Sequence, residues 1–581
     1  MDIARRRDDD VPFYDTLTYD EVLTQLEKND PFLKALGVWI PKKSLAARIQ
    51  SCDEIHRVCR AIASATFVET LFLCVFEGEE QLKIFELLCQ SLGENNSICN
   101  LEFSFTDAYV FELASARMRP FFENNVKLKS LAIKSISSFR HKEIMNFVMM
   151  ALEQRRRVSS FEKIDLTGCK IGDNGVKELV DFFAEHPEMT PKSICFEGND
   201  ISDDGCISIS KIISNTACME LKAIDLQENR SIGISGLQFI ATALGGRQHP
   251  LRLLDLRTRH RSDCIRLFTN AFSSNLNAFP DIFRVGFRGN DNEGLRELGS
   301  LIVRRNSPME ELFMNSVGIC DGYDGFVALV DAFLEHPGKS PKTLKLWELD
   351  DRSLRSIWRK GNFEIAQLLQ RPNCSLENLH ISCDRFPPDD DDLDVITACL
   401  TSNKVLRELH VDLGTPSSFH WARFASVLCN KRSIESTYFT SNHTLTKLGR
   451  YLTPPATVQS YLQLNEYSDK RFVACVKVIE NHFARNFDLG LVEEMSSSVL
   501  AEVISFVDQG FRAWADYKIV AGKVSFDEDD FASGDDRVDE HENDGVLSSK
   551  ENNALTVHVL IIKSNPAIFD FTLLEETRNE R

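Results

Sequence analysis

His380 and His410 stand thirty residues apart in matching surroundings, ENLHIS and RELHVD. With Glu408 or Asp412 beside them, two imidazoles at that spacing could ligate a metal if the fold brought them together. A coincidence of register is the simpler reading of the pair, so no metal is assigned. Asp389 to Asp392, with Asp394, form a carboxylate run after Pro387 and Pro388. The run lacks the spaced order of an EF-hand loop, and a solvated loop insertion is expected there. Gly338-Lys339-Ser340 lacks the earlier glycine of a P-loop. No GxSxG, HExxH or kinase signature occurs. No catalytic residue and no cofactor is expected, and the chain reads as a non-enzyme. Its 16 cysteines are scattered without a CxxC pair. They read as small hydrophobes of a reducing compartment.

The residues that could carry recognition are Arg257, Arg284, Arg288, Phe313, Trp347, His380, His410 and Tyr438. Arginine and aromatic side chains dominate protein interfaces, so this set proposes a partner surface. What must position them is a repeat. FEKIDLTGCKIGDNGVKELVDFFAEH begins at Phe161, PKSICFEGNDISDDGCISISKIISNT at Pro191 and LKAIDLQENRSIGISGLQFIATAL at Leu221. Each reads as a short strand, a turn and a helix. The middle apolar anchors are Leu36, Leu71, Leu101, Leu131, Ile164, Ile194, Ile224, Leu254, Val285, Leu312, Leu344, Leu379, Leu409, Thr437 and Leu462, which makes about fifteen units. Gly175, Gly205, Gly236, Gly294 and Gly325 recur at the helix entry. The apolar quartets Val176, Leu179, Phe182, Phe183 and Cys206, Ile209, Ile212, Ile213 each mark one helix face. A longer echo, LVDFFAEHPEMTPKS against LVDAFLEHPGKSPKT at an offset of 150, points to a duplicated block.

This pattern resembles the leucine-rich repeat family, in its long ribonuclease-inhibitor-like subtype. The motif L-x-x-L-x-L-x-x-[NC]-x-[IL] is met by residues 161–232 and again by residues 282–320, within a resemblance covering roughly 30–490. The resemblance implies an α/β solenoid: a curved horseshoe with a parallel β-sheet on the concave face, helices on the convex face and protein binding as its activity. Side chains alternating with the anchors then line the concave face. Its first half is acidic through Glu102, Asp165, Glu197 and Asp225. Its middle carries the arginines, and its later part carries the aromatics and histidines. The main contact surface is expected over residues 284–440. The expected domains are an N-terminal helical cap (1–30), the solenoid (31–491), a C-terminal helical cap (492–526), an acidic disordered segment (527–545) and a tail with one short strand (546–581).

The chain has 581 residues, and 67 Lys and Arg against 87 Asp and Glu give a net charge of −20. Such a chain repels phosphate backbones, so no nucleic acid is expected as partner. Ten acids against one arginine between 527 and 544 supply nearly half of that excess. An apolar fraction of 43% and 40 phenylalanines suffice for a large core. MDIARRRDDD gives no secretory signal, and no apolar run is long enough to span a bilayer. A cytoplasmic protein is expected, with the nucleus left open. The leading function is an intracellular interaction protein, a scaffold, sensor or inhibitor, whose acidic half favours a basic partner. The alternative is a GTPase-activating protein of the Ran-activator type, which joins similar repeats to an acidic tail. Oligomeric state stays open.

Overall fold

The computed structural model describes residues 2–5, 19–31, 33–40, 52–75, 79–105, 114–135, 141–156, 158–260, 264–288, 292–317, 323–347, 364–382, 390–411, 416–449, 453–483 and 498–503. The expected acidic segment and tail lie outside these residues. The chain divides into two compact units, Met1–Ser353 and Leu354–Arg581. The architecture in each is an α/β repeat solenoid.

In the first unit, β1 (Asp2–Arg5) runs antiparallel to β2 (Ala35–Ile40). Parallel pairing then continues through β3 (Thr70–Val75), β4 (Asn100–Phe105), β5 (Ser130–Ser135), β6 (Lys163–Asp165), β7 (Ser193–Cys195), β8 (Ala223–Asp225), β9 (Leu253–His260), β10 (Ile282–Arg288), β11 (Glu311–Val317) and β12 (Thr343–Trp347). In the second unit, β13 (Asn378–Ile381), β14 (Glu408–Val411) and β15 (Lys447–Leu448) are parallel neighbours. The described residues thus hold fourteen parallel strands, eleven in one unit and three in the other. A helical segment lies in each connection because a parallel pair needs a crossover to return the chain.

The register confirms the anchors from Leu36 to Leu254, and Leu312, Leu344, Leu379 and Leu409. Three anchors need correction. Phe283, not Val285, stands opposite Leu254 and Leu312. Thr437 lies in a π-helical turn, Ser436–Thr440, and Leu462 in the helix Ala456–Leu464. The strand of that region is β15, where Leu448 faces Leu409.

Both apolar quartets are buried on their helices, Gly172–Glu185 and Asp203–Ser214. The helix entries interlock between repeats. The Asp173 carboxylate accepts from the backbone N–H of Ser202 at 2.8 Å and of Gly205 at 2.9 Å, so one repeat caps the next. A Cβ on Gly205 would fall 2.4 Å from that carboxylate, which explains the repeated glycine. The echo at offset 150 is structural as well. His186 and His336 end their helices with nearly the same backbone, φ −129° and −132°, and a 3-10 turn follows each, at Pro187–Met189 and Pro337–Lys339.

The N-terminal region adds strand β1 to its expected helix, Tyr19–Glu27. Asp390 to Asp392 open the helix Asp390–Ser402 rather than sit in a loop; carboxylates suit a helix N-terminus. Residues 498–503 are helical with Leu500 and Val503 buried, while Ile504 and Val507 fall outside the described residues. The thirteen cysteines described are all free thiols, and all but Cys99 are buried. Among the described residues, no helix is long and apolar enough to cross a membrane.

Candidate functional site

Strand alternation turns every second residue away from the helices, and parallel register then aligns those residues into rows. Asp165, Cys195, Asp225 and Asp255 are consecutive in one row of the first unit, followed by Arg284, Phe313 and Lys345. The row changes sign between Asp255 and Arg284, and an ion-pair chain forms across that point. Asp255 is fully buried. Its carboxylate accepts from Arg257 Nε at 2.9 Å and Nη2 at 2.7 Å, a two-oxygen grip that fixes the guanidinium plane. Arg284 Nη1 reaches the same carboxylate at 3.4 Å, and its Nε donates to Glu311 at 2.6 Å. Lys345 Nζ closes the chain on the other Glu311 oxygen at 3.0 Å. Desolvation pushes the Glu311 carboxyl up, but Arg284 and Lys345 together outweigh it and hold the pKa below the usual range.

The acidic side of the row is not balanced in this way. Among the described residues, no lysine or arginine lies within ion-pair distance of Asp225 or Glu197. Burial first, and then the adjacent Asp255, push the Asp225 carboxyl up to about 7, although its oxygen accepts from Gln227 N at 2.9 Å. Burial also raises Glu197. Asp165 differs, because Lys163 Nζ sits 3.1 Å from it and Thr167 donates at 2.7 Å. Cys195, Glu197 and Asp225 can bring one ligand atom each within 4.8 Å of one another. Burial pushes the Cys195 thiol far up, so it stays protonated. The arrangement is a place where a positive charge would be stabilised.

The structure places the sequence-derived contact residues unevenly. Arg257 and Arg284 are half-buried and committed to Asp255. Phe313, expected as an exposed contact, is only 3% exposed. The Arg257 guanidinium lies over its ring at 4.9 Å and the Trp347 ring packs at 5.3 Å. Trp347 itself is half-buried at the end of β12. Arg288 belongs to β10, and its side chain lies outside the described residues. Arg257, Arg284, Phe313 and Trp347 are therefore a self-packed cluster held by Asp255 and by ring contacts.

In the second unit, His380 and His410 stand opposite each other on β13 and β14. Their rings stack, with centroids 4.1 Å apart and planes 19° apart. Glu408 Oε2 lies 3.2 Å from His410 Nε2 and 3.9 Å from His380 Nε2. Lys447 Nζ holds the other Glu408 oxygen at 2.8 Å. That lysine leads the causes that keep the Glu408 carboxyl low against the opposing effect of burial. Tyr438 does not join this row. It sits in the turn Ser436–Thr440 beside the exposed Phe439, and burial pushes its hydroxyl up to about 12.

Asp255, Glu311 and Lys345, which complete the ion-pair chain, flank the anchors Leu254, Leu312 and Leu344. Their parity was visible; the two-residue slip at β10 hid that Arg284 shares a row with Asp255. Compared with known proteins, the chain matches no family model and no curated sequence.

Proposed function

We propose that this chain is a non-enzymatic interaction protein of leucine-rich-repeat type, ribonuclease-inhibitor-like in its repeats. In this reading it works inside the cell as a scaffold, sensor or inhibitor. It receives a basic segment of a partner protein on the strand-lined face of its first unit. The observation that carries the reading is the pair Glu197 and Asp225, which makes no ion pair among the described residues and feels Arg257 only at longer range. Neighbouring Asp255 and Glu311 are already neutralised by Arg257, Arg284 and Lys345. A half-buried carboxylate with only a distant counter-charge is costly, and a lysine or arginine from a partner relieves that cost. The arginine and aromatic cluster then serves as a rigid wall beside the acidic pocket rather than as the main contact. The Ran-activator alternative gains nothing from the arginines, because Arg257 and Arg284 are both held by Asp255.

The test is affinity capture from native lysate at moderate salt, read by mass spectrometry. Wild type runs beside Glu197→Gln/Asp225→Asn and beside Trp347→Ala, all matched for circular dichroism. The expected result is a basic partner recovered by wild type and lost by the carboxylate variant. Recovery of the same partner by all three baits would remove this face from recognition. If only Trp347→Ala loses it, the contact moves to the aromatic end of the row.

A further inference from the structure

Two trios of ligand-type side chains converge among the described residues, and their chemistries differ. Cys195, Glu197 and Asp225 offer oxygens and a protonated thiol, and the basic-partner reading already uses them. His380, Glu408 and His410 offer two imidazole nitrogens and one carboxylate oxygen. We propose that His380, Glu408 and His410 form a binding site for a divalent transition-metal ion of the zinc class.

The site is built by register. Pairing of β13 with β14 sets His380 against His410, and pairing of β14 with β15 sets Glu408 against Lys447. Both histidines turn Nε2 toward the same oxygen of Glu408. A tetrahedral ion with bonds of about 2.0–2.1 Å holds its ligand atoms roughly 3.3 Å apart. The Glu408–His410 separation of 3.2 Å already meets this, and the His380 separation of 3.9 Å needs a closure of about half an ångström. Because the rings are stacked with planes 19° apart, their lone pairs run nearly parallel, so binding also requires the stack to open by side-chain rotation. Lys447 stays on the far oxygen of Glu408 and fixes the carboxylate, as outer partners of metal ligands do. Two nitrogens and one carboxylate leave a fourth position for water or for a side chain of another molecule. The donor set favours zinc, copper or nickel over calcium or magnesium, which take oxygen ligands.

The experiment uses the full chain, reduced and stripped with a chelator. It is titrated with Zn²⁺ by calorimetry and with Co²⁺ by visible absorption, which reports tetrahedral coordination. Wild type is expected to take one equivalent at micromolar or lower free Zn²⁺ and to melt at a higher temperature with the ion. His380→Gln and His410→Gln keep polar bulk on half-buried positions and should fold as wild type does. Each is expected to lose that equivalent or to weaken it at least ~100-fold, and Lys447→Met to weaken it ~10-fold. The proposal fails if wild type binds no equivalent. It also fails if the His380→Gln/His410→Gln double variant binds as tightly as wild type, which would place the ion elsewhere, for example on cysteines.

Discussion

Asp225 illustrates how a single neighbour sets a residue's behaviour. It and Asp255 occupy successive positions of one row, yet two arginines ion-pair with Asp255, while Asp225 feels the charge of Arg257 only at longer range. The folded protein holds the Asp225 proton up to about pH 7. An unfolded chain releases it near ~3.9. Between those values the native state binds the extra proton, so this contribution to stability is full at low pH and is lost as pH rises toward 7. Asp225→Asn keeps the acceptor for Gln227 and removes the titration. Urea melts at pH 4 and pH 8 should therefore show little change at pH 4 and a gain of ~2–4 kcal/mol at pH 8, since each tenfold change in proton affinity is worth about 1.4 kcal/mol. An equal effect at both pH values would show that Asp225 is not the titrating group. The rows themselves were legible in the sequence wherever the anchors were unambiguous. At IFRVGFR, three apolar residues share one parity, and a slip by two keeps the outward face while changing every neighbour. Parity found the arginine; only register found its partner.

At the scale of the element, a polar column of asparagines organises the array. Asn95, Asn125, Asn403 and Asn442 are buried between a helix end and the next strand. Each side chain reaches both ways. Asn442 Nδ2 donates to the carbonyls of Leu400 at 2.9 Å and Asn403 at 3.0 Å, while its Oδ1 accepts from Leu445 N at 2.9 Å. One asparagine thus satisfies the preceding repeat and starts its own strand approach. The spacing N-x-x-L-x-x-L is present at Asn95-Ile98-Leu101, Asn125-Leu128-Leu131, Asn403-Leu406-Leu409 and Asn442-Leu445-Leu448, with Ile in the first case. That signal would have placed β15 at Leu448 rather than an anchor at Thr437. Asn442→Ala orphans two buried carbonyls, and a chemical melt should show a loss of ~2–4 kcal/mol. A loss below ~0.5 kcal/mol would mean that water replaces the side chain there.

At the scale of the whole molecule, most of the repeat logic was in the sequence. Strand–helix alternation, the glycine column and the buried quartets all follow from periodicity that one unit imposes on the next. The division at Ser353 was not visible, because units on either side of it carry equally ordinary anchors. Each repeat covers its apolar side only against its neighbours, so damage in the stack spreads. Leu226 is fully buried in the first unit. Leu226→Asp puts a charge into that stack, and the variant is expected to be insoluble or to lose most of its helical circular dichroism. A soluble variant with an unchanged melting curve would contradict the packing described for this repeat.

A series of like repeats offers the same parallel pairing at each step along the array. A parallel strand left open at a terminus is a template on which the first strand of another copy could dock and extend a filament. In the first unit, the strand before β2 runs the opposite way and is four residues long. In the second unit, the repeat rhythm gives way after the two-residue β15 to the helices Ala456–Leu464 and Lys470–Val478. Lys477 is buried there, donating to the carbonyls of Leu428 and Asn442. Continued parallel pairing would therefore meet a reversed strand at β1 in the first unit and helices after β15 in the second.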